Sequence, residues 1–267
     1  MKKYFAISDT HSFYDCVIKA LEGKGFDRNN PDHYVIICGD AFDRGEQSVE
    51  MFSFMKELQS LNRLVYVRGN HEDLLECCVS DINKMRYVGG SHHSKNGTLK
   101  TIAHITGYTE YDIMYRTIEW KQFSERINEL LDFINTNCID YFQLGKTVFV
   151  HGWVPTTCDE NKTMIVHENW QDGDWREARW ENGMEMWHFG IYPENLTVVC
   201  GHWHCSYGWS HLERKYKQFP PHTHPDFEYS FKPYIKDGII AIDACTAYSK
   251  KVNCVVFNED GEVIDAG

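Results

Sequence analysis

The stretch YVIICGDAFDRGEQSVEMF, residues 34–52, decides the fold. Its apolar run is of buried-strand type, and it passes straight into Gly39-Asp40 and then Asp43-Arg44-Gly45 before a helical pattern begins. A strand that merely had to end needs only the Gly and one Asp. Two carboxylates and a guanidinium at the exit from a core therefore require partners from elsewhere in the chain.

The same punctuation recurs along the sequence. KYFAIS runs into Asp9, RLVYV into RGNHE (Asn70, His71), KTVFV into His151, and LTVVC into GHWH (His202, His204). Between these lie helical spacings in FYDCVIKALEG, QSVEMFSFMKELQSL, EDLLECCVSDI and IEWKQFSERINELLDFI, and the chain closes with the strand-like GIIAIDA, VNCVVF and EVIDA. The alternation predicts an α/β layered fold. Each polar cluster lies just past a strand end, which is where open α/β sheets bind ligands. One domain over residues 1–267 is expected, with irregular loop or lid insertions near 83–118 and 205–236.

Composition narrows the choice. With 267 residues and 42% hydrophobic content the chain can bury a large core. A net charge of −12 and the lack of a long basic run count against a protein built to grip nucleic-acid backbone, so nucleic acid is not expected as a partner. Bound metal ions can still reverse the local sign for a phosphate substrate. There is no run of about 18 apolar residues, and MKKYFAISDT is too short in its apolar part for a secretory leader. No membrane partner and a cytoplasmic location are expected. The 10 cysteines include no CxxC and read as reduced core residues, Cys77 and Cys78 following the apolar spacing of LLECCV.

The clusters supply carboxylates, imidazoles and one amide oxygen without a thiolate, a donor set suited to Mn²⁺, Fe or Zn²⁺ in a hydrolytic site. Two such ions about 3.5–4 Å apart can clamp an in-line phosphoryl displacement. The surplus charge after residue 39 then has a use, with Asp40 as the bridging carboxylate.

In order along the chain, DTH (Asp9, His11), GDAFDRG, RGNHE, VHG and GHWH resemble the calcineurin-like metallophosphoesterase superfamily, in particular its phosphoprotein-phosphatase branch, which includes diadenosine tetraphosphatases. The resemblance implies two facing mixed β-sheets flanked by helices, a four-layer sandwich. It implies two divalent metal ions, manganese first and iron, zinc or nickel as alternatives. Asp9, His11, Asp40 and His204 would hold one ion, and Asp40, Asn70, His151 and His202 the other. His71 would be the general acid, oriented by Asp43. Arg44 would bind phosphate, joined by Arg176 or Arg179. The presence of His204 departs from many protein phosphatases of the branch and matches the wider phosphodiesterase members.

The implied activity is that of a serine/threonine-phosphatase-like phosphomonoesterase on a phosphoprotein, nucleotide or small phosphoester. The competing readings are a dinucleoside polyphosphate hydrolase, a phosphodiesterase or nuclease, and a non-catalytic binding module. His92, His93, His222 and His224 lack a carboxylate at motif spacing and read as surface residues. Trp170, Trp175, Trp180 and Trp187 read as packing residues, with base stacking as the alternative use. Arg68 reads as a loop anchor.

Overall fold

A computed structural model describes residues 1–215 and 229–266. The strands are β1 (Lys3–Ile7), β2 (His33–Cys38), β3 (Leu64–Val67), β4 (Cys138–Ile139), β5 (Phe142–Leu144), β6 (Thr147–Phe149), β7 (Thr156–Cys158), β8 (Met164–Val166), β9 (Thr197–Cys200), β10 (Tyr234–Lys236), β11 (Ile239–Ala241), β12 (Val255–Phe257) and β13 (Val263–Asp265). The first helices are α1 (Tyr14–Gly23), α2 (Ser48–Ser60), α3 (Asn70–Asn83), α4 (His92–Asn96), α5 (Thr98–Thr106), α6 (Glu110–Tyr115) and α7 (Trp120–Asn137).

A six-stranded sheet runs in the order β13-β12-β1-β2-β3-β4, and a five-stranded sheet in the order β10-β11-β9-β6-β5. Both are mixed. β1, β2, β3 and β4 are parallel neighbours while β12 is antiparallel to β1. In the second sheet β6, β9 and β11 are parallel, flanked by antiparallel β5 and β10. β7 and β8 form a separate exposed hairpin.

Side chains alternate across a strand, and here each face has its own core. Tyr4, Ala6, Ile36, Cys38, Val67, Val255 and Phe257 of one sheet meet Phe149, Val199 and Ile240 of the other. Their neighbours Phe5, Ile7, Val35 and Ile37 point the other way, onto Val17, Leu21, Met51, Met55 and Ile127 of the helices. On the far side Val148, Val198 and Cys200 pack with Trp153, Trp170, Trp175 and Met184. Sheets buried on both faces explain the near-continuous apolar runs of the sequence. The four layers are those expected.

Two expectations need correction. The segment from 83 to 118 is not a loop, since α4, α5 and α6 occupy most of it. Leu99, Ile102 and Ala103 recur at helical spacing and enter the core. Gly97 and Gly107, at φ of 84° and 75°, stop two of these helices, so what reads as loop punctuation is a pair of left-handed C-caps. In addition, Asn70 and His71 open α3 rather than precede it. Part of the second expected insertion, residues 216–228 with His222 and His224, lies outside the described residues; the described remainder contains a helical turn (Cys205–Tyr207), a wider turn (Gly208–Leu212) and β10.

Candidate metal centre

Parallel strands end at a common edge. Asp9 follows β1, Asp40 follows β2 and Asn70 follows β3, while His151 and His202 follow β6 and β9 of the other sheet. The turns that bring them together are bent out of ordinary backbone space: Asp9, His11, Asp40, Asp43, Arg44 and His202 have φ of 51°, 48°, 54°, 75°, 61° and 63°. Left-handed residues other than Gly are uncommon and cost of order 1–3 kcal/mol when strained, and their clustering marks a functional edge. Gly201 is required by closeness, since a Cβ there would run into the Asp9 carboxylate and the Ser8 hydroxyl.

Hydrogen bonds fix which imidazole nitrogens stay free. Nδ1 of His11 donates to the Phe42 carbonyl at 2.9 Å, and Nδ1 of His151 to the Cys38 carbonyl at 2.8 Å. His202 uses Nε2 instead, donating to the Trp180 carbonyl at 3.1 Å. A neutral imidazole has a single N–H, so each ring turns one bare lone pair elsewhere. That of His151 lies 2.8 Å from Asn70 Oδ1 and 3.3 Å from Asp40 Oδ1, both acceptors. Three lone pairs converging without a proton between them suit a cation. Burial lowers the His151 pKa first of all, despite the pull of Asp9, so a second ring proton is disfavoured.

The carboxylates tell the same story. Burial, followed by the charge of Asp243, pushes Asp9 up to about 8, and burial with Glu72 pushes Asp40 up to about 7. Buried anions at this density need more positive charge than the side chains provide. Two groups of ligating atoms lie within 4.8 Å of one another: His11, Asp40 and His71, and Asp40, His151 and His202. Asp40 belongs to both. The donor set of oxygen and imidazole nitrogen fits divalent ions, with Asp9, His11, Asp40, Asn70, His151 and His202 as the residues that would hold them. His204 is half-buried, within electrostatic range of Asp9 and Arg44.

Beside Asp40 sits a second assembly. His71 Nδ1 donates to Asp43 Oδ2 at 2.7 Å, and its Nε2 lies 3.1 Å from Arg44 Nη2. Burial acts to lower the His71 pKa, but Asp40 and Asp43 together outweigh it and raise it to about 9. As it stands the 3.1 Å contact is a donation from Arg44 to a bare Nε2; with Nε2 protonated the two N–H donors lie side by side, and an anion can accept from both. Asp43 is itself held by Thr98 and Thr101, each donating at 2.8 Å.

Glu72, the last letter of RGNHE, has no role in the sequence reading and is a chief organiser of the site. It accepts the backbone N–H groups of Asp40, Ala41 and Gly69 at 3.0, 3.0 and 2.8 Å and the Tyr66 hydroxyl at 2.7 Å. Its signal was its position, three residues after the Gly that precedes α3, where a Glu reaches back to cap the helix. Glu72→Ala strands three buried N–H groups at about 1–3 kcal/mol each, so a stability loss of roughly 3 kcal/mol or more is expected. Denaturant titration checks it, and an unchanged midpoint would refute this role. Asp243 is the other unassigned carboxylate: it is buried, pushed up to about 7, and follows β11 as Asp9 follows β1. The strand-end rule applied to GIIAIDA would have found it.

The two candidate arginines differ. Arg179 is bound by Asp73 at 2.9 Å and Asp140 at 2.5 Å, tying its loop to α3, whereas Arg176 is exposed. Trp170 and Trp175 are packed on Tyr141, while Trp180 is 51% exposed with its ring 5.8 Å from that of His202. Arg68 anchors α3 through Asp73 and Glu76, each at 2.7 Å.

The family model of calcineurin-like phosphoesterases matches residues 2–217. The chain belongs to this family. A protein of Encephalitozoon cuniculi named as a probable serine/threonine-protein phosphatase is 42% identical over 79 residues, 29% of this chain and 15% of that one. An asymmetrical bis(5'-nucleosyl)-tetraphosphatase of Bacillus velezensis is 32% identical over 74 residues, 26% of this chain and 30% of that one. The matched stretches thus span under a third of either phosphoesterase relative's length. Among solved structures, a proposed diadenosine tetraphosphatase superimposes with a TM-score of 0.50 at 14% identity, covering 98% of this chain and 92% of that one. A cold-active protein-tyrosine phosphatase of a psychrophilic Shewanella species gives 0.51 at 15% identity, covering 100% and 81%. At such identities these two superpositions show a shared fold and nothing more.

Proposed function

We propose that this chain hydrolyses phosphoric esters with two divalent ions, and that its substrates are monoesters of the serine/threonine-phosphatase kind. The observation that carries the proposal is the placement of the His71–Asp43 pair and Arg44 against Asp40, the carboxylate shared by both groups of ligating atoms. When bound, the ions supply Lewis-acid polarisation of the phosphoryl oxygens and an activated nucleophile near neutral pH. The protein does the rest. Arg44 is exposed beside His71 and pairs its planar fork with phosphate oxygens. His71 Nε2–H gives its proton to the leaving oxygen, and Asp43 keeps the ring charged and pointed. Manganese is the ion proposed first, since carboxylate and amide oxygens suit it, with iron, zinc and nickel as the alternatives that the imidazoles admit. The 10 free cysteines suit the reducing conditions of the cytoplasm.

Trp180 favours one second reading, hydrolysis of dinucleoside polyphosphates, because a half-exposed indole beside His202 can stack on a base. Kinetics of the manganese-loaded protein on phosphopeptides, diadenosine tetraphosphate and a nitrophenyl diester separates the possibilities. The highest kcat/KM is expected on the phosphopeptides. A diester that ranked first would overturn the role given to Arg44 and its attraction for terminal phosphate charge.

A further inference from the structure

The sequence reading treats Cys77 as core and His92 and His93 as surface residues without a carboxylate; the structure keeps His92 at the surface but exposes Cys77 and buries His93 beside a carboxylate. Cys77 is exposed on α3, one helical turn before Asp81. His93 is only 1% exposed, and its Nε2 lies 3.4 Å from Asp81 Oδ2. Its other nitrogen, Nδ1, is buried without a hydrogen-bond partner. The neighbouring His92 is exposed, with the two rings 3.9 Å apart. The Cys77 sulfur and one nitrogen from each ring all lie within 4.8 Å of one another.

We propose that Cys77, His92 and His93 form a third metal site, separate from the strand-end centre and selective for a borderline ion such as Zn²⁺. A thiolate with two imidazoles is a zinc donor set, and both exposed ligands leave the fourth position to water. The orphaned Nδ1 is the strongest single indication, because a buried ring nitrogen without a partner loses its hydration for nothing. Asp81 completes the logic. A carboxylate on one nitrogen of a ligating imidazole fixes the tautomer and frees the other nitrogen for the ion. Asp81 is steadied in turn by Arg86, whose Nη1 donates to Oδ1 at 2.9 Å.

The site's position gives it leverage on the strand-end centre. It joins the middle of α3 to α4, and α4 leads through Gly97 directly into α5. Thr98 and Thr101 of α5 are the residues that grip Asp43. An ion at Cys77 therefore clamps the helical insertion against the helix that begins with Asn70 and His71.

Cobalt separates this site from the other, since a thiolate bound to Co²⁺ gives a near-ultraviolet charge-transfer band and the strand-end donor set contains no sulfur. Titration of the purified full chain with Co²⁺ is expected to produce the band, with Cys77→Ser abolishing it and Cys158→Ser, at the other exposed cysteine, leaving it intact. Elemental analysis after zinc loading should show one ion fewer per chain in Cys77→Ser than in the wild type. Absence of the band in the wild type, its persistence in Cys77→Ser, or its loss in both variants would each overturn the assignment. Cys77 is exposed, so its replacement by serine removes the ligand without opening the core.

Discussion

Asp40→Asn is expected to strip the strand-end centre of both ions at once and to abolish measurable hydrolysis. The carboxylate stands where the two sheets meet: Oδ1 accepts the His71 backbone N–H at 2.9 Å and lies 3.3 Å from His151 Nε2, while Oδ2 is 3.9 Å from His11 Nε2. Asparagine has the same shape, so the backbone bond and the fold survive, but the charge is gone. Outer groups that merely orient a metal ligand are worth about 10–100-fold in affinity, and a shared ligand should exceed that. The metal-free variant is also expected to be no less stable than the metal-free wild type. Burial raises the Asp40 pKa, so above the ordinary carboxylate range its ionised form is held in the folded chain at a cost that the amide avoids. Elemental analysis and thermal unfolding in chelator test both halves. Two ions retained at wild-type affinity would remove Asp40 from its place at the centre.

His71→Asn should do the opposite, keeping the metals and losing chemistry in proportion to the leaving group. A nitrophenolate departs without a proton, whereas the alkoxide of a serine or a sugar does not. General-acid assistance is worth about 10²- to 10⁴-fold, and the loss on alkyl phosphates is expected in that range with a much smaller one on nitrophenyl phosphate. Asp43→Asn should give a milder form of the same pattern, because it weakens the orientation and charge of the ring without removing it. Single-turnover rates on both substrate types at matched metal content decide the matter. Equal losses on both would exclude His71 as the proton donor.

What could be read from the sequence follows from what each signal depends on. The strands before Asp9, Asp40, Asn70, His151 and His202 are buried on both faces, so their apolar runs are local and legible, and polar residues after them stand out. Asp243 obeys the same rule, and its strand-end position in GIIAIDA was readable in the same way. The insertion is not legible locally, because Gly97 and Gly107 end short helices whose support is tertiary, through Leu99, Ile102 and Ala103 in the core. Arg179 shows the limit most clearly. Its partners Asp73 and Asp140 lie 106 and 39 positions away, and no local pattern announces an ion network of that span. Glu72 was in view, within RGNHE, but its four acceptor contacts exist only once the loop after β2 has folded over it.

The strand-end centre straddles a seam, and this bears on how the molecule comes together. His202 donates its backbone N–H to Asp9 across 193 positions, and His151 reaches the Cys38 carbonyl across 113. Even the sheet that carries Asp9 and Asp40 is completed by β12 and β13 from the far end of the chain. Contacts of such long range are slow to form, since loop closure must precede any gain from them. During synthesis the first half emerges with Asp9, His11, Asp40, Asn70 and His71 but without the imidazoles of β6 and β9. A nascent chain thus carries half of an ion cradle, rich in anions and poor in partners, until its closing strands have been made.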